Sequence, residues 1–344
     1  MKLRGVTPDR TVGSLALAIA LFAPLLFSTY WVAQLLTQML ILGIVAASLI
    51  FLSAYAGMVS LAQLTIYGIA GFMLGNLTTN GNTKGLNEGW NVWWGVIVAL
   101  LVATAMALLF GALASRNVGI YFLMITLIFS VIVNLFFGQV TALSGFGGIS
   151  GIPTPGLIGN VEAHPNRLYY LALVVSLVVY AVLRYLVRTP FGLTLQGIRD
   201  DPVRMSSLGY NVPLHRTVAF GFAGLVGGIG GVLFVWWNGH IDPATIDLGS
   251  TVNLLVIAVI GGLYRLEGAW VGALVFVLLN NYSQRIGFWS LDSRFQSLIG
   301  VIFLVIVLVS PKGLIGAWER LLGLFSGSRT DRVDPVELPA EPSV

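Results

Sequence analysis

The chain has 344 residues, of which 57% are hydrophobic and only 9% charged, against about 25% charged in ordinary soluble domains. It contains no cysteine, which excludes disulfides, thiolate metal sites and cysteine catalysis. The small net charge of +4 is read as the imbalance that orients a membrane protein, and no nucleic acid is expected as a partner.

Apolar runs of about 20 residues, the length a helix needs to cross a bilayer, recur along the chain. The alternating segments of about 10 residues that mark an outer-membrane barrel do not appear. The expected fold is all-α, a polytopic membrane bundle of about ten transmembrane helices. The spans fall near 12–30, 33–54, 57–78, 91–114, 118–138, 168–187, 215–237, 250–264, 268–288 and 295–310. Residues 1–11 form a short N-terminus, and the first span is read as retained rather than cleaved as a leader. The eighth is short and ends on glycines, which suits a half-helix or re-entrant segment buried in protein. From 311 the chain forms a tail, polar and proline-bearing from about Ser326 and expected to be disordered.

With the N-terminus inside, fourteen of the 18 Lys and Arg residues fall on the cytoplasmic side, and Lys84, Arg167, Arg285 and Arg294 on the other. That asymmetry puts both termini in the cytoplasm. The spans are read as free of charge: no Asp, Glu, Lys or Arg occurs between Arg10 and Lys84 or between Arg116 and Glu162. Proton-coupled carriers usually hold ionisable groups inside the membrane. No G-x-x-x-x-G-K-[ST] phosphate loop is present either, so ATP and Mg are assigned to a partner subunit and no cofactor to this chain. His240, Asp242 and Asp247 lack metal-ligand spacing and read as a solvated outer loop, and no metal site or enzymatic centre is expected.

One loop, 189–214, breaks the apolar pattern. In GIRDDPVRMSSLGYNV (197–212), Arg199, Asp200, Asp201 and Arg204 stand within six positions. Asp201 suits a helix N-cap, Pro202 the first helical position and Gly209 a left-handed stop. The intervening residues give about two turns, too short to be stable without something to pack on. Neutral polar residues inside apolar spans are the candidates for a translocation path: Ser60, Gln63, Thr65, Thr126, Asn134, Asn253 and Asn280. Interhelical hydrogen bonding is the competing explanation for each of them. Among the 41 glycines, Gly224/Gly228 and Gly227/Gly231 form small-xxx-small pairs, and Gly261 and Gly262 cluster similarly, as expected at close helix contacts.

The segment FGLTLQGIRDDPVRMSSLGYNVPLHRTVAFGFAGLVGGIGGVLF (191–234) resembles the cytoplasmic loop and following span of branched-chain amino-acid ABC transporter permeases of the LivM type. Phe191, Gly192, Ile198, Arg199, Gly209 and Asn211 carry that likeness. AYAGMVSLAQLTIYGIAGF (54–72), GIYFLMITLIFSVIVN (119–134), SGFGGISGIP (144–153) and VIGGLYRLEGAWVGALV (259–275) resemble further segments of the family in the same order. Gln63, Gln196, Pro202 and Tyr264-Arg265 depart from its usual residues.

The resemblance implies a permease subunit of a bacterial inner-membrane importer, with residues 200–209 as a coupling helix. Its partners would be two cytoplasmic ABC ATPase subunits, a second and homologous permease, membrane lipid and an extracytoplasmic solute-binding protein. Permeases for urea or short amides share these features. Nucleoside and sugar permeases are more distant, and a secondary carrier or channel is the alternative outside the class.

Overall fold

The computed structural model describes residues 20–24, 28–80, 85–117, 119–159 and 165–283, together with Gly300 and the pair 313–314. The expected N-terminus, most of the first span, the last span apart from Gly300 and the tail apart from 313–314 lie outside the described residues.

A π-helical turn, Trp31–Leu36, runs into α1 (Thr37–Ala56). There follow α2 (Gln63–Thr78), α3 (Val92–Ala114), α4 (Ile120–Gln139) and α5 (Pro165–Arg188). After two short helices, α6 (Pro190–Asp200) and α7 (Pro202–Ser207), come α8 (Val212–Asn238), α9 (Leu248–Gly261) and α10 (Gly268–Ser283). Five helical stretches are long and apolar enough to cross a membrane: Trp31–Ala56, α3, α4, α5 and α8. The chain is a helical polytopic membrane protein. Among the described residues the only β structure is a two-residue antiparallel ladder, with Ile149 opposite Ile241 and Ser150 opposite His240.

The spans expected at 91–114, 118–138, 168–187 and 215–237 coincide with α3, α4, α5 and α8 to within a few residues. The third does not. It was expected from 57, but α2 begins only at Gln63. Gly57 closes α1 in the left-handed region (φ +68), and residues 57–62 are irregular although Met58, Ser60, Leu61 and Ala62 are buried. Buried backbone must be satisfied from somewhere. Here the Leu61 N–H donates to Thr126 Oγ1 on α4 (3.1 Å) and the Ala62 N–H to Ser60 Oγ (3.1 Å). The eighth span is short as expected, 14 residues in α9, about 21 Å against roughly 30 Å of hydrocarbon.

The centre of the bundle is α8, packed on α1, α2 and α3. Every residue of α2 except Met73 is buried. On α3 the buried face is a row of small residues at four-residue spacing, Gly95, Ala99, Ala103, Ala107 and Gly111, which lets the α8 backbone approach closely. The two glycine pairs of α8 look in different directions. A β-carbon at Gly224 would sit 2.2 Å from Ala107 Cβ on α3, whereas one at Gly231 would sit 2.0 Å from the Tyr67 carbonyl oxygen on α2. In the α9–α10 hairpin, a β-carbon at Gly261 would lie 1.8 Å from the Gly268 carbonyl oxygen. Gly262 has φ +115 and belongs to the turn itself rather than to a helix contact.

The helices define two ends. One carries α6, α7 and the start of α8; the other carries the β-ladder and the exposed Trp90, Trp93 and Trp94 at the start of α3, residues that suit a membrane interface. The expectation of charge-free spans fails on two helices. Arg184 lies within α5 and Arg216 within α8, both near the α6–α7 end. Arg184 pairs with Glu267 at 3.4 Å; Arg216 is buried at 7% exposure.

Candidate functional site

The charged loop folds into two helices rather than one. Thr189 caps α6 with Pro190 at its first position, the same device that begins α7. Asp201 is extended (φ −150), and its Oδ1 accepts the Arg204 N–H at 2.9 Å, with Pro202 leading the helix. At the other end Gly209 has φ +90. Its N–H donates to Ser206 O (3.0 Å) and that of Tyr210 to Met205 O (3.2 Å), the paired bonds of a Schellman stop. These ends satisfy the orphan groups of a helix that supplies almost no bonds of its own.

No residue of α7 is buried. Val203 is 74% exposed and Leu208, just after it, 66%. Met205 turns inward, where a β-carbon on Gly197 of α6 would lie 2.9 Å from its sulfur. Arg204 is exposed. The helix therefore presents one cation and two aliphatic side chains to whatever lies beyond this end of the bundle.

Arg199 and Asp200, expected to act with these residues, are placed differently. They pair with each other at 2.8 Å, and Arg199 Nη1 donates to the carbonyl of Ala54 in the last turn of α1. The Arg199 stem crosses Gly57, where a β-carbon would be 2.8 Å from Arg199 Cγ. Arg199 thus fastens the α6–α7 unit to the break between α1 and α2, which no local signal in the sequence reveals.

The polar residues singled out for a path do not share one site. Ser60, Gln63, Thr65 and Thr126 gather around the start of α2 and are fully buried. Ser60 and Thr126 are occupied with the backbone bonds described above, and Thr126 also donates to Leu123 O at 2.9 Å. Gln63 Oε1 accepts from Ser48 Oγ at 3.1 Å, facing Gly227, while Gln63 Nε2 and Thr65 Oγ1 have no partner. Asn134 lies towards the ladder end, its Nδ2 donating to Pro243 O at 2.6 Å. Asn253 and Asn280 stand half-buried on α9 and α10. At the ladder end, Asp242 and Asp247 cap the helical turns that follow them through Thr245 and Ser250.

Two cavities flank α7. One of about 490 Å³ is lined by Gly57, Val59, Ile120, Phe122, Arg199 and Arg216 among others. The other, of about 370 Å³, is lined by Ser115, Arg116, Val203, Ser206, Pro213 and Arg216 among others. Neither includes a residue singled out for the path. Arg216 lines both; in the sequence it counts only as one more cytoplasmic positive charge, at the very start of the span expected at 215–237.

The family described as "Branched-chain amino acid transport system / permease component" matches residues 31–310. Over 247 residues the chain is 25% identical to the high-affinity branched-chain amino acid transport system permease protein LivM of Salmonella typhimurium, covering 65% of this chain and 57% of that protein. It is 26% identical over 166 residues to the probable branched-chain amino acid transport permease protein LivH of Methanocaldococcus jannaschii, covering 47% of this chain and 52% of that one. It is also 29% identical over 144 residues to the nucleoside ABC transporter permease protein NupC of Lactococcus lactis, covering 40% and 44% respectively. The chain spans little more than half the length of the LivM and LivH relatives and less than half that of NupC. No solved structure matches it. With the family match extending from the π-helical turn past the last described helix, the chain belongs to the branched-chain amino acid transport system permease family.

Proposed function

We propose that this chain is a permease subunit of an ATP-binding cassette importer, with α7 as the helix that docks on a cytoplasmic ATPase subunit. The observation that carries this reading is α7 itself: capped at both ends, fastened to α1 through Arg199, and exposing Val203, Arg204 and Leu208. A short helix held this firmly, yet with nothing buried, suits a protein contact, and its charge would orient a partner. On this reading the α6–α7 end is cytoplasmic and the ladder end faces outward, as the distribution of Lys and Arg favours. ATP and Mg act in the ATPase subunits. A second permease completes the path, and a solute-binding protein delivers cargo at the ladder end.

The names of the LivM and LivH relatives support a branched-chain amino acid as the solute; that of NupC supports a nucleoside as the second reading. Proteoliposomes holding this chain, its partner permease and the ATPases from its own operon, supplied with the binding protein, distinguish them. ATP-dependent accumulation of labelled leucine is the expected result. Uptake of uridine or urea alone would reassign the solute, and no ATP-dependent uptake of any of them would overturn the importer reading.

A further inference from the structure

Arg216 is the fifth residue of a 27-residue helix. At 1.5 Å per residue α8 is about 40 Å long, against a hydrocarbon thickness of about 30 Å, so its first turns lie at headgroup depth. The side chain is 7% exposed and its Nε is buried with no hydrogen-bond partner. Among the described residues it makes no ion pair either: the two carboxylates of the preceding loop are engaged elsewhere, Asp200 with Arg199 and Asp201 with the Arg204 amide. A buried cation left alone is costly, so an anion is the natural complement.

The larger cavity beside it brings a second cation, Arg199, and its remaining lining is apolar or backbone, from Gly57, Met58, Val59, Gly119, Ile120, Phe122, Leu123 and Pro202. At its rim Ile120 is 69% exposed. From there an uncovered aliphatic face climbs α4 through Met124, Ile128, Val131 and Leu135, each 43–53% exposed and spaced by helical periods. A charge pocket at headgroup depth that continues into an apolar strip along one helix has the shape of an amphiphile.

We infer that the Arg216 cavity is a site for an anionic phospholipid, its phosphate beside the Arg216 guanidinium and its acyl chains along the exposed face of α4. Basic pockets between transmembrane helices take acidic headgroups for this reason. The inference depends neither on the transported solute nor on the ATPase contact; the solute does not enter its test, and ATPase binding enters only as the outcome that would reassign Arg216.

The purified full chain in mixed micelles, titrated with phosphatidylglycerol and with phosphatidylcholine and read by native mass spectrometry, decides it. The expected result is a preference for phosphatidylglycerol of roughly fivefold, kept by Arg216→Lys and lost in Arg216→Gln. Ile120→Glu, a change at an exposed rim position, should also abolish the preference by placing a carboxylate at the mouth, and it carries the test if Arg216→Gln does not fold. Equal binding of the two lipids by the wild type overturns the inference, as does a preference that survives both Arg216→Gln and Ile120→Glu. Displacement of the lipid by an equal concentration of inorganic phosphate overturns it in favour of a small-anion site. ATPase binding that depends on Arg216, without any lipid preference, overturns it in favour of an acidic side chain from the partner.

Discussion

Gly231→Ala is expected to prevent a stable fold, while Gly228→Ala, three residues earlier on the same helix, is expected to be nearly neutral. The added β-carbon at Gly231 would stand 2.0 Å from the Tyr67 carbonyl oxygen. That oxygen is backbone in a helix buried along its length, so neither side can yield without parting α8 from α2. Overpacking of this kind costs about 3 kcal/mol, a large share of the stability of any domain. At Gly228 the nearest atoms are side chains, Leu100 Cδ2 at 3.3 Å, Ala103 Cβ at 3.4 Å and Ala70 Cβ at 3.5 Å. Leu100 can shift by a few tenths of an ångström, and Ala gains up to about 1 kcal/mol of helix propensity over Gly. Thermal unfolding in detergent, followed by fluorescence-detected gel filtration, separates the two. Equal melting of both variants would contradict the packing described here.

The second large effect is expected at α7. Replacing Val203 and Leu208 together by Asp should weaken ATPase binding by about thirtyfold, the loss that follows when a central apolar anchor worth about 2 kcal/mol is removed from an interface. Their exposures of 74% and 66% mean that the bundle itself should fold and migrate as the wild type does. The check is a titration of the purified ATPase subunit against wild type and variant in nanodiscs. Unchanged affinity with an intact fold would place the contact elsewhere.

How far the sequence speaks for itself differs from element to element. The caps of α7 are local chemistry, and Asp201, Pro202 and Gly209 take the positions their side chains and backbone freedom dictate. Thr189-Pro190 carries the same signal for α6, yet the segment between two spans reads as loop when only its charges are weighed. The break at 57–62 is of another kind. Gly57 permits it, but Thr126, 65 residues beyond Leu61, makes it tolerable, and a long-range hydrogen bond leaves no local mark. Arg199 and Arg216 show the same limit. Both resemble ordinary cytoplasmic positive charges, and only packing reveals that one ties α6 to α1 and the other is buried without a counterion. The glycine pairs of α8 are legible as close contacts, but not which neighbour each pair meets. That difference, backbone at Gly231 and side chains at Gly228, sets the sign of the substitution.

The absence of cysteine from the whole chain gives the most direct test of the central claim, that α7 meets the ATPase. Val203→Cys introduces a single thiol on the exposed surface of α7, and Leu157→Cys, at a 74% exposed position towards the ladder end, provides the control. Membranes containing the chain and its cognate ATPase subunits are treated with a short thiol-to-amine cross-linker and probed for the joined species. The account predicts a cross-link to the ATPase from Val203→Cys and none from Leu157→Cys. An assembled complex that cross-links from neither position, or from Leu157→Cys alone, would contradict it.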